Sequence, residues 1–159
     1  MTGMSLLLLL QDVVEADLPI LFEHQNDPEA NRMAAFPLRP WPAFLDHWRR
    51  ILQDRGITKQ TIVADGDVAG HVVVFEESER RQIGYWIGRA FWGRGIATLA
   101  LSRFLRALTE RPLFAVVAAH NLASRRVLEK CGFALPVAHA GAPGPPAEEG
   151  EVVLFELRS

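Results

Sequence analysis

The sequence has a single cysteine and no excess of charge of either sign. Cys131 is the only cysteine among 159 residues, which excludes a disulfide framework or a cysteine-rich metal site and predicts a cytoplasmic protein. The formal net charge at pH 7 is -2, so the overall charge directs the chain neither to nucleic acid nor to an acidic membrane surface. Hydrophobic residues make up 49% and charged residues 23%, the proportions of a globular domain with its own core.

Long hydrophobic runs are absent as well. The leucine run at 6–10 has no basic residue before it and no small-residue cleavage site after it, so we interpret it as a buried first strand rather than an export signal. No segment reaches the roughly 20 apolar residues that a membrane helix needs. The five histidines lack metal-ligand spacing, and we predict no metal site. The length suits one domain, which we expect to span 1–159.

Hydrophobic periodicity predicts an alternation of helices and strands. Helical spacing recurs in four segments, at 12–24, 44–52, 95–110 and 124–130. Strand patterns occupy seven segments, at 6–10, 61–64, 68–75, 82–88, 113–119, 133–137 and 152–157. This order predicts a mixed α/β fold, in which a mostly antiparallel sheet of six to seven strands is flanked by about four helices. The strands at 82–88 and 113–119 are expected to be parallel neighbours joined by a right-handed crossover.

The segment from Trp92 to Thr98 lies where a predicted strand meets a predicted helix. Gly93 and Gly95 allow a sharp turn and leave the peptide N–H groups uncovered by side chains. The first N–H groups of a helix have no internal partner, and the helix dipole is positive at that end. The segment therefore predicts a cradle for a phosphate or pyrophosphate, with Arg89 and Arg94 adding positive charge beside it.

Other interpretations of this glycine segment are open at this point. The sequence contains no Walker-type G-x-x-x-x-G-K-[S/T] string, and the dinucleotide pattern G-x-G-x-x-G is broken because Thr98 stands at its last position. An isolated G-x-G also serves simply as a tight strand-to-helix turn. A second motif is needed to decide between these alternatives.

That second motif is NLASRRVLEKCGF at 121–133, which follows the apolar strand directly. Together with GYWIGRAFWGRGIAT at 84–98, it resembles the GNAT superfamily of acyl-CoA-dependent N-acetyltransferases. Within that superfamily the pattern looks most like the branch of ribosomal-protein N-terminal acetyltransferases and their small-molecule relatives. The resemblance covers most of the chain. It implies a sheet whose two central strands splay apart, with the thioester of acetyl-CoA in the gap.

The resemblance also implies which residues bind acetyl-CoA. Backbone amides of the loop and helix start would hold the pyrophosphate, and the edge of the preceding strand would pair with the pantetheine arm. Asn121 and Ser124 match the polar positions opposite the loop. The remaining residues implied are Trp86, Ile87, Trp92, Gly93, Arg94, Gly95, Ile96, Ala97 and Thr98. Trp92 departs from the usual Gln or Arg, although Trp is familiar there in this branch.

The residues that move protons in many relatives are replaced in this sequence. Gln82 and Leu128 stand where a Glu and a Tyr are common. Substitute candidates are His120 as a base with a pKa suited to neutral pH, and Tyr85, the only tyrosine, as a donor to the sulfur. The hydroxyl of Ser124 is a further donor candidate. A route without a dedicated base is also open, because orientation alone supplies much of the rate in such reactions.

The function implied is transfer of an acetyl group from acetyl-CoA to a primary amine, by direct attack of the amine on the thioester. The acceptor would be a protein N-terminus or a small-molecule amine, and we expect no nucleic-acid or membrane partner. A non-catalytic acyl-CoA-binding or sensing module and a dinucleotide-binding protein are the alternatives. The acceptor pocket is expected from the first 60 residues, including Phe36 and Trp41, and from the Pro- and Gly-rich loop at 139–150. The oligomeric state is left open, with a homodimer as one option.

Overall fold

The computed structural model describes residues 6–34, 37–135 and 151–159. The predicted loop at 139–150 and Phe36 lie outside these described residues. The strands are β1 (Leu8–Asp12), β2 (Thr58–Ala64), β3 (Asp67–Glu77), β4 (Arg80–Ile87), β5 (Leu113–Ala118) and β6 (Val152–Leu157). The α-helices are α1 (Leu18–Gln25), α2 (Pro28–Ala34), α3 (Trp41–Gln53), α4 (Ile96–Ala107) and α5 (Leu122–Lys130).

The strands form one sheet in the order β1-β2-β3-β4-β5-β6. Every neighbouring pair is antiparallel except β4 and β5, which are parallel and are connected through α4. The β2–β3 turn contains Asp65 and Gly66, both with positive φ, as the Asp-Gly sequence predicts for a tight hairpin. The predicted mixed fold with a mostly antiparallel sheet is thus confirmed.

The two central strands diverge. Gln82 and Phe114, near the start of each strand, form the one register pair between β4 and β5 in the described part of the chain. On its other side, by contrast, β4 pairs with β3 from Arg80 through Ile87. The carboxyl-terminal halves of β4 and β5 are therefore separated by a gap, and this gap opens towards the segment that leads into α4.

Helices pack on both faces of the sheet because strand residues alternate between the faces. On one face, Val72 and Val74 of β3 join Leu101 of α4 and Leu128 of α5 in a buried cluster. On the opposite face, a second cluster contains residues of α1 and α3, namely Leu18, Leu21, Phe44 and Trp48. The gap between β4 and β5 connects these two faces.

Two elements differ from those predicted. The described residues contain five α-helices where about four are predicted, and the additional helix, α2, begins at Pro28. Proline is well suited to the first position of a helix, where its missing N–H has no partner to lose, and the Asp27 side chain accepts a hydrogen bond from the N–H of Glu29 (3.0 Å). The strand predicted at 133–137 is reduced, among the described residues, to one bridge between Ala134 and Glu156.

No helix in the described ranges is both long enough and apolar enough to cross a membrane.

Candidate active site

The glycine segment before α4 has the geometry of an open cradle. Gly93 and Gly95 have φ of +76° and +73°, a conformation that strongly favours glycine. A β-carbon built at either position would meet no described atom within 4 Å, so the space in front of these peptides is clear. Gly95 is the N-cap of α4, and among the described residues no side chain caps this helix and no acidic residue lies in its first turn. The N–H groups at this helix start are therefore available to an anion.

Two arginines tie this segment to neighbouring elements. The guanidinium of Arg94 lies 3.4 Å from the carboxylate of Asp65 in the β2–β3 turn, and that of Arg89 lies 2.9 Å from Asp27 at the start of α2. Exposed pairs of this kind stabilise a fold only slightly. The indole of Trp92 donates a hydrogen bond to the carbonyl of Ile87 (2.9 Å) and so fastens the segment to the end of β4.

The backbone of β4 presents a free edge to the gap. The N–H of Gly88 donates to the carbonyl of Ala69 in β3 (2.8 Å), and backbone groups alternate direction along a strand. Those of Trp86 therefore also point to β3, whereas those of Tyr85 and Ile87 point to the gap. The edge that faces the gap is thus formed by Tyr85 and Ile87, rather than by Trp86 and Ile87 as the resemblance implied. The Trp86 indole donates to the carbonyl of His24 on α1 (3.0 Å).

Tyr85 and Ser124 meet across the gap. The phenol of Tyr85 forms a short hydrogen bond with the Ser124 hydroxyl and lies 3.3 Å from the Ser124 carbonyl oxygen, so the bond connects β4 with α5. Burial raises the pKa of Tyr85 to about 12, and the hydroxyl keeps its proton at neutral pH. The structure therefore places a neutral hydroxyl beside the gap, on the face covered by α4 and α5.

Asn121 takes a structural role beside this pair. Its side-chain oxygen accepts a hydrogen bond from the N–H of Ser124 (3.2 Å) and caps the N-terminus of α5. Asn121 also lines the cavity described below, together with Ser124 and Tyr85. Three of the predicted site residues are thus brought to one place.

Replacing Asn121 with alanine is expected to destabilise the protein by about 1 kcal/mol, because the cap of α5 is lost. Urea denaturation measures this change. The matched control is Asn121→Asp, which retains an oxygen in the capping position and should stay close to the wild-type stability. An alanine variant as stable as the wild type would contradict the capping role.

His120 is held by a different part of the chain. Its Nε2 lies 2.8 Å from the carbonyl oxygen of Arg32 on α2. A carbonyl can only accept, so Nε2 carries the hydrogen and the lone pair of the ring lies on Nδ1, which is buried and has no hydrogen-bond partner among the described residues. His120 is not among the described residues that line the cavity. Its chain neighbour Asn121 does line the cavity.

Gln82 and Leu128 stand where the resemblance implied a Glu and a Tyr. In the structure both side chains make packing or hydrogen-bond contacts within the protein. The Gln82 side chain is 7% exposed, and its amide donates to the carbonyl of Glu77 (3.2 Å). Leu128 is 1% exposed and belongs to the core between the sheet and α5. Neither side chain offers a titratable group.

A cavity of about 910 Å³ includes the gap and extends to the face of the sheet covered by α1 and α3. Its lining on that face includes His71 of β3 and Trp48 of α3, whose rings meet edge-to-face with centroids 4.9 Å apart. His71 is 4% exposed, and burial lowers its pKa to about 3, helped by the nearby His24. His71 was not among the residues predicted for the site, although an isolated histidine in the apolar stretch 68–75 is a signal visible in the sequence.

Among residues 6–34, 37–135 and 151–159, no three His, Cys, Asp or Glu side chains are grouped closely enough to hold a metal ion.

The comparisons with known proteins agree with this geometry. The sequence pattern of the acetyltransferase (GNAT) domain matches residues 8–134. YdaF of Bacillus subtilis (strain 168), named as a proposed ribosomal N-acetyltransferase, is 32% identical over 93 residues, 54% of this chain. The aligned segment spans about half (51%) of that relative.

Solved structures share the fold at low sequence identity. The spermidine N-acetyltransferase of Vibrio cholerae, in complex with CoA and spermine, superposes with a TM-score of 0.77 at 16% identity over 95% of both chains. An acetyltransferase of Thermus thermophilus gives a TM-score of 0.73 at 20% identity over 96% of this chain and 97% of the other. The chain belongs to the GNAT acetyltransferase family, whose members take their acetyl group from acetyl-CoA.

Proposed function

We propose that the protein is an N-acetyltransferase that transfers an acetyl group from acetyl-CoA to a primary amine, either a protein N-terminus or a small-molecule amine. The observation that carries this proposal is the gap between β4 and β5, which leads from the open amides before α4 to the buried hydroxyl of Tyr85. A linear substrate with phosphates at one end and a thioester at the other fits such a path.

The residues of the chain would bind this substrate at two places. The N–H groups from Gly93 to Thr98 would hold the pyrophosphate at the positive end of α4. The free backbone groups of Tyr85 and the N–H of Ile87 would pair with the amides of the pantetheine arm, as an added strand does. The carbonyl of Ile87 is already bonded to Trp92 and would take no part. Binding at these places would direct the thioester into the cavity.

The reaction requires the amine to be held against the thioester carbon and the sulfur to receive a proton. The ammonium first releases one proton to solvent, and the lone pair that this leaves on the nitrogen forms the C–N bond while the C–S bond breaks. The Tyr85 hydroxyl, oriented by Ser124, would donate its proton to the departing sulfur. The proton released by the nitrogen would restore the phenol, so that an amide and a thiol leave without net change to the protein. His120 has no step in this scheme.

The walls of the cavity and the relatives support an amine as the acceptor. Asp54, Glu76 and Glu77 line the cavity and form no ion pair within the described ranges. Two arginines, Arg39 and Arg81, share this wall, and Arg81 is paired with Glu110. Carboxylates at the entrance attract an amine, which arrives protonated at neutral pH. The Vibrio cholerae structure contains spermine, and the Bacillus subtilis relative is named for ribosomal acetylation.

The test is amine-dependent release of free thiol. We expect the protein with acetyl-CoA to release CoA faster when spermine or a short peptide with a free N-terminus is added, and mass spectrometry should detect the acetylated amine. Heat-denatured protein is the control for non-enzymatic acetylation. Release of thiol at the same rate with and without both amines would contradict the proposal.

A non-catalytic acyl-CoA-binding module is the second candidate, and it is favoured by one observation. Gln82 and Leu128 are both buried in structural contacts at positions where many relatives carry titratable groups. Calorimetric binding of acetyl-CoA without any amine-dependent thiol release would support this candidate.

A further inference from the structure

His71 lies on the wall of the cavity away from the α4 and α5 face. It pairs in register with Trp86 of β4, so both side chains lie on the face covered by α1 and α3. The diagonal position on β4 is Gly84, which also lines the cavity. Gly84 has no side chain, so the cavity reaches its backbone beside the side chains of Val73, Phe75 and Trp86, which lie on the same face. An acceptor that approaches the gap from this face would pass beside the imidazole.

The imidazole of His71 has no hydrogen-bond partner among the described residues. Its Nδ1 is buried and unpaired. Buried polar groups are nearly always hydrogen-bonded, and an unsatisfied one costs about 1 to 3 kcal/mol. A valine or leucine would fill a purely structural position in this strand without that cost. Since Nδ1 is enclosed, Nε2 is the nitrogen left to meet a ligand in the cavity.

The surroundings keep this ring neutral. Burial, together with the nearby His24, lowers the pKa of His71 to about 3. A neutral imidazole carries one lone pair and one N–H, so it can accept a hydrogen bond from an amine. Because its pKa is so low, the imidazole of His71 is a weak base, and the role it suits is to bind and orient the amine.

We propose that Nε2 of His71 accepts a hydrogen bond from the N–H of the acceptor amine and aims the nitrogen lone pair at the thioester in the gap. This inference rests on the proposed function. In this proposal His71 contacts the acceptor on the face covered by α1 and α3. Tyr85 has a separate role, since it donates its proton to the departing sulfur from the opposite face of the sheet. Trp48, packed against the ring, holds it in place.

The first test compares His71→Phe and His71→Gln with the wild type. Phenylalanine preserves an aromatic ring and removes both nitrogens, whereas the glutamine side chain retains an acceptor oxygen near the position of Nε2. We expect kcat/KM for the amine to fall about 10- to 100-fold in His71→Phe, the loss of one hydrogen bond to a group that becomes charged, and to recover partly in His71→Gln. The Kd for CoA should not change, and the Tm of His71→Phe should not fall. Unchanged amine kinetics in His71→Phe would overturn the proposal.

The second test does not depend on turnover. In the CoA complex of the wild-type protein labelled with 15N-histidine, spermine or the peptide should shift the ring-nitrogen resonances of His71, which are identified by their absence in His71→Gln. Absence of any shift with both amines would overturn the inference. A shift without amine-dependent thiol release would retain His71 as an amine-binding residue and would defeat the proposed function instead.

Discussion

Replacing Gly95 with glutamate is expected to abolish binding of acetyl-CoA and CoA. The new carboxylate would stand in the open space before the first turn of α4, where the pyrophosphate must lie. Loss of two hydrogen bonds to charged oxygens, at about 1.5 kcal/mol each, corresponds to a Kd at least roughly 100-fold higher. Repulsion between the carboxylate and the phosphates adds to this loss. Isothermal titration calorimetry measures it directly.

The control for this variant is Gly95→Ala. Because Gly95 has a φ of +73°, any L-residue there costs about 1 to 2 kcal/mol of stability, and both variants share that cost. No described atom lies within 4 Å of the added β-carbon, so the alanine variant should fold and still bind CoA measurably. Wild-type affinity in the glutamate variant would show that the anion cradle is elsewhere.

Replacing Tyr85 with phenylalanine is expected to lower kcat by roughly 100-fold or more, the usual contribution of a positioned proton donor. The ring is retained and only the hydroxyl is removed, so the packing of β4 against α5 should survive. The Kd for CoA should change little, because Tyr85 offers the substrate arm its backbone groups. Steady-state kinetics with a saturating amine, together with calorimetry for CoA, separates the two effects.

Ser124→Ala is the matched variant for this second prediction. It removes the partner that orients the phenol and should give a smaller loss of kcat than Tyr85→Phe. The pH profile supplies an independent check. Since the pKa of Tyr85 is raised to about 12, the phenol stays protonated as the pH rises past 10, where an ordinary tyrosine would be half ionised. A loss of kcat centred near pH 10 that disappears in Tyr85→Phe would contradict the burial argument.

Features that depend on a few neighbouring residues could be predicted from the sequence. The Asp-Gly turn, the Gly93-Arg94-Gly95 segment and the helix after it each depend on a few neighbouring residues. The parallel pairing of β4 and β5 followed from the handedness of the connection between them. The glycine segment therefore lies at the end of β4, as the sequence predicted.

Features that depend on packing between distant segments could not be predicted from the sequence. Which backbone groups of β4 face the gap depends on its register with β3, so the choice between Tyr85 and Trp86 required the structure. The contact of His120 with Arg32 could not be predicted, because Arg32 lies on α2, a helix that was not predicted from the sequence. His71 is a candidate because Trp48 of α3, distant in sequence, packs against its ring on the same face of the sheet.

Because β4 and β5 are paired at so few positions, the stability of the folded protein would depend on the concentration of acetyl-CoA. With one register pair between them, the two parts of the sheet depend mainly on side-chain contacts, and a pantetheine arm along β4 would supply backbone hydrogen bonds missing from the protein itself. A ligand that binds only the native state at 100 times its Kd adds about 2.7 kcal/mol to the free energy of unfolding. When cellular acetyl-CoA is depleted, the lifetime of the folded enzyme would therefore shorten along with its turnover.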